Sequence, residues 1–526
     1  MFFDRLKLWV KSNKWICYLI AVACFFIIIG VFFYRNTGAQ GAKLAFTALC
    51  VFFWCLICVV GFCQRKKDGF IYKSFFIVLL ALGTLHSLVF QPITIPDEYY
   101  HFQNSYKYSN FIMFKKDPGY DSLLMRSDDV EEMNNTFTDR LTYPRYLEII
   151  DGFKLFDSSD KEIFIEPQIE FDLLSNLPQT KLPSAIGITI ARLFGLGFYP
   201  LFYLGRLFSF LFFACLSYLA VKTTPVGKNA FMAISLLPMT INIAGSYAND
   251  AGIIGLSFLF IALCLKAAYT SKQVTRKNLI AIAIIAILLA PCKLVYSLLI
   301  VMVLVVPATV FSSKKRARLY KSGVIFLSIC SVLLLRLSML LYVAGVESSG
   351  LVNRGGEEGY YHTISEFFID PLGTIAFFAR SLDVFGDFYI TTLIGGWLGW
   401  FQDGIAAPWF VVLAFIFLLA LSFLKTPDDS AEINKKHRIL YFSIFCLGLF
   451  AIMLGMFIGW TFTHETEIQG VQGRYLLPFL PMIALAIRSN TVVSKRNLHI
   501  WIVFGLFALN IAYLIRIFSI ITATHI

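Results

Sequence analysis

The chain has 526 residues, 58% of them hydrophobic and only 15% charged, against roughly 45–50% and about 25% in soluble globular proteins. Mean hydropathy is +0.72, which excludes an ordinary soluble enzyme. The formal charge of +12 does not point to nucleic acid. Lys and Arg fall in short clusters between apolar runs, as they do in the cytoplasmic loops of membrane proteins.

At about 20 apolar residues per crossing, the pattern predicts an all-α integral membrane protein, a polytopic bundle of about 13 transmembrane helices. A first span, Trp15–Tyr34, follows the basic residues Arg5, Lys7, Lys11 and Lys14 and places the N-terminus in the cytoplasm. A second, Leu44–Gly61, leads to Arg65, Lys66 and Lys67, and a third, Ser74–Val89, returns the chain outward. Residues 1–73 then form an N-terminal helical unit, 74–490 a transmembrane core and 491–526 a C-terminal helix.

The third span opens into the longest polar segment, residues 91–183. It holds over half of the acidic residues and is net negative, the reverse of a cytoplasmic loop. It is expected to be an extracytoplasmic loop carrying short interfacial or re-entrant helices. From Phe198 the chain goes in to Lys222 and Lys228, out by Tyr247, in to Lys272, Arg276 and Lys277, and out near Lys293. It returns in to Lys314–Arg318, then out to a second external region, 347–404. The last passes reach Lys435–Arg438 inside, His464 outside, Arg488–Arg496 inside and the C-terminus outside. All eleven cysteines lie in or beside apolar runs, so neither a disulfide framework nor a zinc site is indicated.

Polar groups at the outward ends of spans are the candidates for chemistry. In Pro96-Asp97-Glu98-Tyr99-Tyr100-His101, a helix starting after Pro96 puts Asp97 and His101 on one face. A carboxylate beside an imidazole there can accept a proton or meet a phosphate, although an acidic residue in a first helical turn needs no function to explain it. Asn249-Asp250 forms an outward turn, as any short loop could. Lys293 is a cation where the inside rule disfavours one, with snorkelling as its plain alternative. Arg474, within Gln472-Gly473-Arg474-Tyr475-Leu476-Leu477-Pro478, needs a partner at that depth, either a lipid-linked phosphate or an outside carboxylate.

In order and spacing these segments resemble a bacterial family of polytopic membrane proteins. That family carries a Pro-Asp-Glu and His motif in an external loop, an Asn-Asp turn, a Pro-x-Lys-x-x-Tyr span end, here Pro291, Lys293 and Tyr296, and a Gln-Gly-Arg-Tyr entry. It looks like a branch of the GT-C superfamily of membrane glycosyltransferases. The resemblance spans residues 75 to 490 and departs at Leu177-Pro178-Gln179-Thr180, where related chains have Pro-x-x-Tyr.

The resemblance implies transfer of a sugar from a polyprenyl-phosphate donor to a cell-envelope glycan acceptor, at the outer face of a bacterial plasma membrane. Asp97, with Glu98 second, is then the candidate general base. Arg474 and Lys293, assisted by His101, are the candidate phosphate ligands. Asn249, Asp250, Tyr296, Gln472 and Tyr475 would orient the acceptor or substrate. The expected partners are donor, acceptor and membrane lipids, not nucleic acid. This chemistry requires no cofactor, and a divalent metal is not indicated. A lipid-linked oligosaccharide flippase, or a polysaccharide polymerase or ligase, is the alternative; a flippase would line several spans with polar residues, and these spans are mostly apolar.

Overall fold

The structure is a computed structural model and describes residues 40–64, 69–115, 122–136, 140–156, 161–167, 177–271, 274–343, 351–354, 356–488 and 491–523. The expected first span lies outside the described residues. The fold is that of an all-α membrane protein. Among the described residues six helices are long and apolar enough to cross a bilayer, where hydrogen bonds must be satisfied within the segment.

Helix α1 spans Gln40–Gln64 and α2 spans Phe70–Val89. The polar segment expected to be a loop folds against the bundle as α3 (Glu98–Ile112), α4 (Ser127–Thr136), α5 (Tyr143–Asp151) and a two-stranded antiparallel sheet. Its strands β1 (Leu123–Arg126) and β2 (Glu162–Ile165) pair Leu123 with Ile165 and Arg126 with Glu162. Strands were not among the expectations. The expected loop end, Pro183, falls inside α6 (Pro178–Leu193), which packs between α3 and α7 (Phe198–Thr223). A separate apolar cluster welds the loop to the bundle, with Phe102 and Tyr106 of α3 against Phe198, Phe202 and Tyr247.

The expected pass from Lys228 to Tyr247 is built as two short helices, α8 (Lys228–Ser235) and α9 (Pro238–Ala244). Pro238 lacks a donor and suits a first helical turn, so the helix breaks before it. Helix α10 (Asp250–Tyr269) is a span buried among α6, α7 and α11 (Arg276–Leu289). The pass after Lys293 is a 3₁₀ helix, Leu294–Val305. At about 2.0 Å per residue it is longer than an α-helix of the same residue count, though still short of a full bilayer.

Helix α12 (Lys314–Val343) returns beside it. The second external region begins with the hairpin β3 (Val352–Arg354) and β4 (Glu357–Gly359), then α13 (Ile364–Ile369) and the largely exposed α14 (Pro371–Ile394). Helix α15 (Trp409–Ser422) and the span α16 (Lys435–Trp460) follow. The motif containing Arg474 forms a further 3₁₀ segment, Gly473–Phe479, continued by α17 (Leu480–Ile487), a pass interrupted by Pro478 and Pro481. Helix α18 (His499–Ala523) packs against α1, α2 and α15.

Candidate functional site

The site is assembled where the starts of α3 and α10 meet the starts of both 3₁₀ segments. After α2 the backbone turns through Phe90–Pro96, and Asp97 stands at φ 61 immediately before α3. This left-handed conformation is open to Asp at modest cost. The carboxylate of Asp97 is half exposed.

Glu98 is in a different situation. Its side chain is fully buried against that of Arg206 from α7, which is 1% exposed. Arg206 Nε donates to Glu98 Oε1 at 2.8 Å, and the guanidinium also donates to the carbonyls of Phe90 (2.6 Å) and Gln91 (2.9 Å). Glu98 in turn accepts from the backbone N–H of Ile93 and Tyr247. The pair therefore clamps both ends of the turn that presents Asp97. Gln91 extends the clamp by donating to the Thr142 carbonyl at 2.7 Å.

Across the site, Lys293 Nζ donates to Asp250 at 2.9 Å and lies 4.9 Å from the Tyr475 ring centroid. Arg474 lies 5.5 Å from the same centroid. Its nearest carboxylate is that of Asp97 at 4.0 Å, an ion contact beyond hydrogen-bonding distance, although the Arg474 side chain is only 5% exposed. Among the described residues, Arg474 Nε and Gln472 Oε1 are buried without a hydrogen-bond partner. Leaving such groups unpaired costs about 1–3 kcal/mol each, more if charged, so they mark a place where a ligand would be gained.

Gly473 explains the motif's glycine: a Cβ there would fall 1.8 Å from the Tyr389 carbonyl of α14, while its N–H donates to Thr392. Tyr296 is buried and donates to the Tyr475 carbonyl at 3.0 Å, so it supports the 3₁₀ segment from behind. Asn249 Oδ1 accepts from Thr180 at 2.9 Å, which brings the departing Leu177–Thr180 stretch to the edge of the site.

His101 follows Asp97 by one turn, and its N–H donates to the Asp97 carbonyl. Burial first, and then the facing cations Lys181, Lys293 and Arg474, hold its imidazole well below the usual histidine range, so it is neutral. Lys181 of α6 is fully buried and donates to the Tyr247 carbonyl at 2.6 Å. Burial likewise depresses its ammonium, against the pull of Asp250 and Glu98.

The depressed His101 pKa has a consequence for stability. Below about pH 6.5 the unfolded chain binds a proton that folded His101 refuses, so this contribution is complete above that pH and is lost as pH falls, by at most about 1.4 kcal/mol per unit. Melting the purified protein at pH 7.5 and pH 5.0 should show a smaller acid loss for His101→Gln than for the parent. Equal losses would remove His101 from this role.

The structure thus brings Asp97, His101, Asp250, Lys293, Arg474 and Tyr475 together, keeps Tyr296 behind them, and turns Glu98 away into an ion pair. Among the described residues no three His, Cys, Asp or Glu side chains converge as metal ligands would. The family described as predicted membrane protein, DUF2142, matches residues 171–483, more than half of the chain. The chain belongs to that family. No curated protein and no solved structure matches it.

The DUF2142 segment contains Asn249, Asp250, Lys293, Tyr296 and Gln472–Tyr475, and also Arg206 and Lys181, which sequence reasoning missed. Asp97, Glu98 and His101 lie before it, on the polar segment whose start Arg206 holds in place, while Lys181 ties the end of that segment to the Tyr247 carbonyl. A lone Arg in the apolar run Leu204–Leu219 was the available signal for Arg206. Lys181 carried none.

Proposed function

We propose that this protein is a GT-C-type glycosyltransferase, moving a sugar from a polyprenyl-phosphate donor to a cell-envelope glycan acceptor on the extracytoplasmic face of a bacterial membrane. The observation that carries the reading is the under-satisfied Arg474, covered yet with Nε unpaired, beside Lys293 and within 4.0 Å of the accessible Asp97. A phosphate would supply the acceptor oxygens that Arg474 lacks.

A lipid tail also has a place beside these cations. A cavity of about 340 Å³ opens between the 3₁₀ helix Leu294–Val305 and α12, walled by Ala290, Ile300, Val301, Ile329 and Val332. Arg336 of α12 donates to the carbonyls of Pro291 (2.7 Å) and Cys292 (2.8 Å), fixing the turn that carries Lys293 at the head of this cavity. Its walls suit an isoprenoid chain whose phosphate ends at Lys293.

In the reaction the acceptor hydroxyl oxygen bonds to the anomeric carbon, the bond from that carbon to the phosphate oxygen breaks, and polyprenyl phosphate leaves with the electron pair. Asp97 takes the hydroxyl proton, and Arg474 and Lys293 stabilise the leaving phosphate. In-line displacement puts the attacking and leaving oxygens on opposite sides of the carbon, so the contact between Asp97 and Arg474 opens around the sugar and the configuration inverts. Neutral His101 contributes one N–H, while Asp250 and Asn249, with Gln472 and Tyr475, orient the substrates. We assign Glu98 to positioning rather than to proton transfer.

Arg474→Ala should lower transfer from a radiolabelled polyprenyl-phosphate sugar by roughly 10²-fold and weaken donor retention, with Lys293→Ala smaller because Lys293 is partly paired with Asp250. Arg474→Lys should rescue only in part, since a point charge replaces a planar fork. Parental rates in both alanine variants would remove the phosphate assignment.

Some 13 crossings with the N-terminus inside place the site outside. An impermeant thiol reagent should label Ser365→Cys and spare Ser313→Cys in intact cells, both positions being exposed. The opposite pattern would invert the topology.

A further inference from the structure

Another cavity lies apart from that site. It holds about 750 Å³ at the N-terminal end of α16, roughly 20 Å of helical rise before Gly448, against which Phe479 of the Arg474 segment packs. Its polar wall is Glu432, Asn434, Lys435 and Arg438, with Glu432 turned into an ion pair with Lys425, and its apolar wall includes Ile439, Phe442 and Ile487. Those three apolar side chains are all more than half exposed, Ile439 and Phe442 at the start of a segment apolar enough to cross the membrane and Ile487 at the end of α17.

The charges around this cavity are uneven. The neighbouring connection to α16 brings three carboxylates, and each has a partner. Glu432 pairs with Lys425 at 2.7 Å, Asp429 pairs with Arg488, and Asp428 accepts from Asn497 at 2.9 Å and meets His499 at 3.0 Å. Lys435 and Arg438 form no ion pair with a carboxylate among the described residues. Arg438 is held by one bond, Nε to the Ala486 carbonyl at 2.8 Å, which leaves its outer N–H groups for the cavity. Spaced by three residues, the two cations share a helix face at an N-terminus, whose dipole also favours an anion.

We propose that this cavity is a discrete binding site for an anionic phospholipid, its phosphate between Lys435 and Arg438 and its chains along Ile439, Phe442 and Ile487. Charge complementarity on one wall and lipid-facing apolar side chains on the other select this occupant over a soluble anion, which would gain nothing from the apolar wall. A zwitterionic lipid carries its own cation next to the phosphate and gains less from the pair.

The test is native mass spectrometry of the delipidated full-length chain, titrated with phosphatidylglycerol or phosphatidylcholine. The parent should retain one phosphatidylglycerol at concentrations where phosphatidylcholine does not bind. Lys435→Ala and Arg438→Ala should each weaken retention roughly tenfold or more, the loss of one charge-assisted contact. Lys314→Ala with Lys315→Ala, in another basic cluster, should leave it unchanged. Should Arg438→Ala not fold, Lys435→Ala with Phe442→Ala carries the test, since both side chains are exposed.

Equal retention in the cavity variants, or an equal loss in the Lys314 and Lys315 control, would overturn the site in favour of diffuse attraction to a basic surface. Displacement of the lipid by millimolar inorganic phosphate would overturn the choice of a lipid occupant. Sugar transfer does not enter this readout, so the site stands or falls separately from the proposed function.

Discussion

Asp97→Asn should lower glycosyl transfer by roughly 10²–10⁴-fold, the usual contribution of a general base, while leaving the protein folded and the donor bound. The geometry makes this substitution clean. Asn adopts the left-handed conformation at φ 61 as readily as Asp does. The bond from the His101 N–H is to the Asp97 backbone carbonyl, so it survives. Among the described residues the only ion contact given up is the 4.0 Å approach to Arg474. Freed from a competing carboxylate, Arg474 should hold the donor phosphate at least as well, so KM for the donor should stay level or fall while kcat drops. Near-parental kcat in a well-expressed Asp97→Asn would remove the carboxylate from proton transfer and leave it as the residue that precedes α3.

The membrane class and most helix positions were legible because the bilayer writes them into composition: a span needs an apolar run, and its ends gather charge. For the same reason Asp250 at the start of α10 and Lys293 before its 3₁₀ helix were found at segment ends. Local pattern did not reveal which charges face a common space. Glu98 pairs with a residue 108 positions later, and nothing within a window of sequence distinguishes it from Asp97 beside it. The different settings of these two carboxylates, one half exposed and one buried in an ion pair, are fixed by a left-handed turn and by α7, both tertiary facts. The strands β1 and β2 were also hidden, since four-residue strands joined across a long connection leave little alternation to read. The broken passes left visible marks in Pro238, Pro478 and Pro481, and the 3₁₀ helix after Lys293 left none.

Glu98→Gln should be destabilising before it is anything else. It leaves Arg206, 1% exposed, as a buried cation whose ion-pair partner is gone, a change that typically costs about 3–5 kcal/mol. A lower melting temperature in lipid and reduced expression are expected, and a loss of transfer that accompanies such destabilisation would say nothing about proton transfer. Removing both charges separates the two roles. Glu98→Gln with Arg206→Met should recover part of the stability, because no buried charge is then left without its partner. It should still transfer slowly, because the carbonyls of Phe90 and Gln91 lose the donors that held the turn in front of Asp97. A stable double variant with a reduced kcat, further reduced little by adding Asp97→Asn, would mark Glu98 and Arg206 as positioning residues acting through Asp97. A double variant that folds and transfers at the parental rate would show that the clamp does not position Asp97 for transfer. A Glu98→Gln protein as stable as the parent but inactive would return the base to Glu98.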